Sequence, residues 1–183
     1  MESLKQRLSR DSWLKGALEL CIKGVDTVKV APLANKLGVT TGSFYWHFKN
    51  RRELLDEVLK FWEREMTDVP VRDSKKFAGD PLDRVHLMME RIVEEELARC
   101  DLAIWLWAQQ DINASKCFKR AVKKRLTHAK WMFEQGGYSP IQAATRGRML
   151  VTYMMGESTL LMEPAAKRRE LLQVNYAILT APE

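Results

Sequence analysis

Apolar residues recur at three- and four-residue spacing along almost the whole chain, and no run alternates apolar and polar residues as a half-buried strand would. That pattern restricts the chain to an all-α fold. Leu14, Leu18, Cys21, Ile22 and Val25 share one face of a first helix, with Ser9 as its N-cap and Asp11 at the positive end of its dipole. Leu33, Ala34 and Leu37 mark a short second helix that stops at Gly38, and Phe44 and Phe48 mark a short third. A fourth starts near Asn50 and runs through Leu54, Leu55, Val58, Leu59 and Trp62. The stretch from Asp68 to Asp80, with its proline, glycine and mixed charge, reads as a linker.

Beyond it, Asp80-Pro81 opens a fifth helix, Ala103 to Ala108 is apolar all round and reads as a buried sixth, and Phe118 to Phe133 form a seventh closed by Gly136-Gly137. Ser139-Pro-Ile-Gln142 has the form of a capping box for an eighth helix, reaching through Met149 and Tyr153 to Leu160. Leu171, Val174 and Ile178 mark a ninth after Pro164. The expected architecture is therefore about nine helices: a three-helix head over residues 1–51, and a body over 52–183. Within the body, a connecting helix spans 52–67 and a regulatory region begins near 80.

The chain has 183 residues, 46% of them hydrophobic, which excludes disorder of the whole. No apolar stretch approaches the roughly 20 residues of a membrane span, and Met1 to Arg7 has no apolar signal core, so no membrane partner and a cytoplasmic location are expected. Residues 1–51 hold nine Lys and Arg against four Asp and Glu, while the other 132 residues are nearly neutral. A positive end on a neutral body points to a polyanion partner for that end.

The informative segment is Leu33 to Leu55, LANKLGVTTGSFYWHFKNRRELL. Helix, glycine turn and short helix form a helix-turn-helix. Gly38 allows a tight turn, Val39 plugs the gap between the helices, and Thr40 or Thr41 caps the next one. With Phe44 and Phe48 inward, Thr41, Ser43, Tyr45 and His47 face out, and Lys49, Arg51 and Arg52 add cations. The alternative is a packed three-helix unit with no nucleic-acid partner.

Phe44-Tyr-Trp-His-Phe-Lys-Asn50 followed by Leu54-Leu55, with Leu33-Ala34 and Leu37-Gly38-Val39 upstream, resembles the head of the tetracycline-repressor-like (TetR) family. The resemblance covers about Ser9 to Trp62. It implies a ligand-responsive repressor binding palindromic double-stranded operator DNA as a homodimer, with a helical body that binds a small inducer and dimerises through its last two helices. It implies that Tyr45, His47 and Arg51 contact phosphates, that Thr40, Thr41, Gly42 and Ser43 lie closest to bases, and that Trp46 packs against the head. Lys29 stands where the family has a capping Thr or Ser, and Ala31-Pro32 follows; Lys29 is left to reach a phosphate.

In the body, Met89, Trp105, Trp107, Trp131 and Met155 are candidate pocket residues for a hydrophobic or aromatic inducer, with packed core as the alternative. Trp105 and Trp107 point about 200° apart on a helix, so one of them is expected at a cavity. Arg148 or Glu157 is a candidate orienting charge. Met149, Tyr153, Leu171, Val174 and Ile178 are candidate dimer-interface residues, with Gly147 and Gly156 permitting close helix approach. The basic run Lys116 to Arg125 reads as a solvated face balanced by Glu94-Glu95-Glu96, or as a second DNA surface. Cys21, Cys100 and Cys117 are buried thiols or, for the last two, a redox pair. His86 and Glu90 share a helix face at metal-ligand spacing, but no further ligand accompanies them, so neither a metal nor any other cofactor is expected. With no catalytic motif, an enzyme or a bare interaction module is the alternative to a regulator.

Overall fold

The computed structural model describes residues 8–157 and 164–182. Its helices are α1 (Arg10–Cys21), α2 (Val30–Lys36), α3 (Thr41–Phe44), α4 (Arg51–Glu63), α5 (Val69–Ser74), α6 (Pro81–Glu94), α7 (Asp101–Ala108), α8 (Ile112–Gln135), α9 (Pro140–Gly156) and α10 (Ala165–Thr180). There is no strand among the described residues, and no helix there is long and apolar enough to cross a membrane. The local signals act as expected at several ends. Ser9, Asn50 and Asp80 each accept a backbone N–H from the first turn of the helix they cap. Ser139 and Gln142 close a reciprocal capping box at α9. Leu160 lies outside the described residues.

The segment expected as a linker is largely helix. α4 passes without a break through a π-helical turn, Arg64–Asp68, into α5. Pro70 does not end this rod. It has no N–H for the carbonyl of Met66 one turn back, and the Arg125 guanidinium takes that carbonyl at 3.2 Å. Only residues 75–80 join the rod to α6. With α4, the π turn and α5 counted as one rod, there are nine helical units among the described residues.

α1, α2 and α3 pack around Trp13, Leu33, Phe44 and Phe48, all at most 2% exposed, with Trp13 edge-on to Phe44 at 5.6 Å. This core continues without interruption along Leu54, Val58 and Trp62 of α4 to Ile104 and Trp107 of α7 and Cys117 and Ala121 of α8. A second core joins α6, α8, α9 and α10 through Met89, Met132, Phe133, Leu150 and Leu172. α8 and α9 form a long hairpin, turned by Gly137 at φ +90°. A Cβ at Gly147 would stand 2.8 Å from the Lys130 backbone nitrogen, so Gly147 sets the close approach of α9 to α8 inside the chain.

Candidate nucleic-acid interface and effector cavity

The turn between α2 and α3 has a defined hydrogen-bond logic. Gly38 adopts φ +68°, its N–H donates to the Asn35 carbonyl, and the Val39 N–H reaches back to Ala34 at 3.0 Å. This Schellman closure satisfies the last carbonyls of α2 and turns the chain sharply. α3 then presents its residues in two sets. Phe44 and Phe48 are buried, while Thr40, Thr41, Gly42, Tyr45 and Lys49 are exposed and Ser43 and His47 half-buried. Thr40 occupies the N-cap position but makes no side-chain cap bond, and Lys29 at the N-cap of α2 makes none either. The Tyr45 ring, 64% exposed, stands edge-on to Phe44 at 5.2 Å. Trp46 is 75% exposed, so the expectation that it packs against the head is overturned; it stands on the outer surface beside Tyr45.

Arg51 is engaged within the head. Its Nε donates to the Val28 carbonyl at 2.6 Å and its Nη2 to the Val25 carbonyl at 2.8 Å. Two of its donors are spent inside the head, fastening the loop between α1 and α2 to the start of α4. Backbone N–H groups at that start are partly occupied as well: Glu53 N donates to Asn50 Oδ1, and Lys49 N to Glu53 Oε2.

In the body an apolar cavity of about 70 Å³ lies between the rod, α6, α8 and α9. Met66, Met88, Met132, Met154 and Met155 line it together with Pro70, Ile92 and Leu150. Of the five candidate pocket residues, Met155 alone lines this cavity, and Trp131 lines a neighbouring cleft. Met89 is fully buried in the second core, Trp107 is packed in the first, and Trp105 is 44% exposed at the surface. The wide angle between the two indoles is resolved by exposing one, not by facing it into a cavity. Arg148 is exposed and Glu157 is 3% exposed, and neither lines the cavity.

The polar groups at the cavity are ones the sequence reading passed over. Arg125 donates to Thr67 Oγ1 at 2.9 Å, to the Met66 carbonyl, and to both oxygens of Asp101, which is 1% exposed. Asp101 also accepts from Trp62 Nε1 at 3.1 Å. His128, one turn beyond Arg125, completes the wall. The i, i+3 spacing of Arg125 and His128 on the inner face of a helix was the available signal.

The basic face of α8 is balanced by the rod and not by Glu94-Glu95-Glu96. Glu63 binds Arg120 and Lys124, which together hold its carboxyl down at about 2 against the opposing effect of burial, and Lys124 also reaches Asp68. Glu95 and Glu96 serve Arg91, Arg99 and Arg168 instead. All three cysteines are buried, and desolvation pushes each thiol up to about 12, which keeps them protonated and unreactive at neutral pH. His86 lies 3.7 Å from Glu90, and no group of three or more metal-ligating side chains occurs among the described residues.

A Schellman-closed helix, a sharp turn and a short outward-facing helix, carried by a rod into a two-core helical body, define a helix-turn-helix protein. Residues 14–58 match the model of the tetR family of bacterial regulatory proteins, so the head of this chain is similar to that family's. Over 78 residues it is 31% identical to the HTH-type transcriptional regulator AcrR of Shigella flexneri, spanning 40% of this chain and 36% of AcrR. Over 51 residues it is 47% identical to the class D tetracycline repressor protein of Escherichia coli, 27% of this chain and 23% of that protein. The chain thus matches well under half the length of these curated relatives. A transcriptional regulator from Rhodococcus sp. Rha1 superposes with TM-score 0.73 over 94% of this chain and 96% of its own, at 15% identity, a likeness of fold.

Proposed function

We propose that this protein is a ligand-responsive transcriptional repressor that binds a palindromic operator as a homodimer. The observation that carries the reading is the α3 surface. Thr40, Thr41, Gly42 and Tyr45 are exposed on a helix held rigid from behind by Phe44, Phe48 and Trp13. Thr40, Thr41, Gly42 and Ser43 face the base edges, while Tyr45, His47, Lys49 and Lys29 take phosphates. Arg51 supports this surface from inside the head. One short helix reads few bases, so two heads are needed, with half-sites about 34–36 Å apart or a multiple of that spacing.

The outward faces of α9 and α10 supply the dimer surface. Met149, Val174 and Ile178 are 50%, 55% and 58% exposed, unusual for large apolar side chains, and Tyr153 and Leu171 lie half-buried beside them. The inducer is a small hydrophobic or aromatic molecule in the Met-lined cavity, whose flexible walls widen to admit it. The cavity touches the rod and the body together, so a ligand there shifts the balance between two head positions through its differential affinity for them.

The test is a mobility-shift assay with DNA from beside the protein's own gene. Wild type is expected to shift it in competition with nonspecific DNA. Tyr45→Ala weakens binding to all sequences, while Thr41→Ala changes sequence preference by about 1–3 kcal/mol at one position of each half-site. Unchanged binding in a Thr41→Ala/Tyr45→Ala double variant would overturn the assignment of this surface.

A further inference from the structure

The apolar cavity is not isolated. Val71 and His128 line it on one side and, on the other, a cleft of about 430 Å³ between α5 and α8. The cleft is lined further by Lys75, Arg120, Lys123, Lys124, Thr127 and Trp131. Glu63 and Asp68 engage Arg120 and Lys124. Lys75 and Lys123 are exposed and form no ion pair among the described residues, so the cleft keeps a positive excess.

The junction carries an unsatisfied group. His128 is 5% exposed; its Nε2 is 3.0 Å from Ser74 Oγ, and its ring stacks on Trp131 at 5.3 Å. Its Nδ1 is buried without a hydrogen-bond partner. Burial, reinforced by the charges of Lys75 and Arg84, lowers its pKa to about 4, so the ring is neutral near pH 7. Buried polar atoms normally have partners, and an orphan on the wall between two cavities is where a ligand atom would supply one.

The charges decide which part of a ligand belongs on which side. The cation of the inner cavity, Arg125, is engaged with Asp101, Thr67 and the Met66 carbonyl. An anionic group finds no unpaired cation there, whereas Lys75 and Lys123 offer two in the cleft. We propose that the effector is an amphipathic anion, whose apolar part fills the Met-lined cavity and whose carboxylate or phosphate rests on Lys75 and Lys123, the two parts joined past His128. This rests on reading the cavity as the effector site and adds the chemical class of the effector.

The test titrates the full chain with decanoate, decyl phosphate and decanol, three ligands with one tail, by calorimetry at low and high salt. At low salt at least one anion is expected to bind about tenfold more tightly than the alcohol, and to lose that advantage at high salt. Which anion gains more identifies the headgroup. Lys75→Ala/Lys123→Ala abolishes the advantage and leaves decanol unchanged, while Val151→Phe, which narrows the cavity from α9, weakens all three. If decanol matches both anions in wild type, or the lysine variant keeps the advantage, the cleft is not the headgroup site and the cavity reading stands alone. If the anions bind Val151→Phe undiminished, the cleft is an independent anion site and the joined ligand is excluded. If none of the three binds wild type, the cavity reading falls with the proposal.

Discussion

At position 51 a cation that reads as a phosphate ligand is a structural brace. The Arg51 fork bonds the carbonyls of Val25 and Val28, neither of which is a partner the helical pattern supplies. A hydrogen bond from a charged donor is worth about 1.5–3 kcal/mol, and because the Val25 carbonyl keeps the Val28 N–H, loss of the Arg51 side chain strands only the part-buried Val28 carbonyl. Arg51→Ala is therefore expected to lower the stability of the protein by about 2 kcal/mol in urea denaturation. Arg51→Lys recovers only part of this, since a single ammonium cannot span both carbonyls in the same geometry. Operator affinity falls in Arg51→Ala only as far as the head loosens. A variant as stable as wild type but deficient in DNA binding would return Arg51 to the phosphate backbone.

The rod from α4 to α5 carries the next scale of organisation. A proline inside a helix ordinarily orphans the carbonyl four residues before it and ends the helix. Here Arg125 reaches across from α8 to that carbonyl, at Met66, and is itself neutralised by Asp101 of α7. One guanidinium thus ties the rod, α7 and α8 together at the wall of the cavity, so the ligand proposed there would bear directly on the element that holds the head. Arg125→Leu leaves Asp101 buried and unpaired, which is expected to cost about 3–5 kcal/mol. In Asp101→Leu/Arg125→Leu the loss is smaller than the sum of the two single losses, because no charge is stranded. Thermal or urea denaturation of the three variants completes the cycle, and strict additivity would mean that the clamp does not act as a unit.

For the whole molecule, the question is what covers α9 and α10. α9 packs inward on α8 through Ala143, Gly147 and Leu150, and α10 chiefly against α6, which leaves Met149, Val174 and Ile178 outward on both helices. A two-fold interface there would bury these residues against their own copies. Val174→Glu/Ile178→Glu places carboxylates at that contact. Sedimentation should then show a monomer for this variant and a dimer for wild type at micromolar concentration, and operator affinity should fall by orders of magnitude because each head binds alone. A double variant that stays dimeric would move the interface elsewhere.

Outside residues 68–80, periodicity and end signals in the sequence were enough to define the helices, because helix formation is local: Ser9, Asp80 and Ser139 open the helices they were expected to open, and Gly38 turns the head. They were enough, too, for the helix-turn-helix, since its outward set is the complement of an inward Phe44 and Phe48 four residues apart. What they did not contain was any information on which partner a side chain finds across the fold. Pro70 looks like a stop until Arg125, 55 positions away, takes the carbonyl it abandons. Arg51 looks free until the loop at Val25 and Val28 folds over it. Trp105, Trp107 and Met89 look alike as large apolar side chains, and tertiary packing alone sends them to the surface, to the first core and to the second. The cavity formed instead where α8 turns Arg125 and His128 inward beneath the rod, a position set by the crossing of four helices and invisible to the spacing within any one of them.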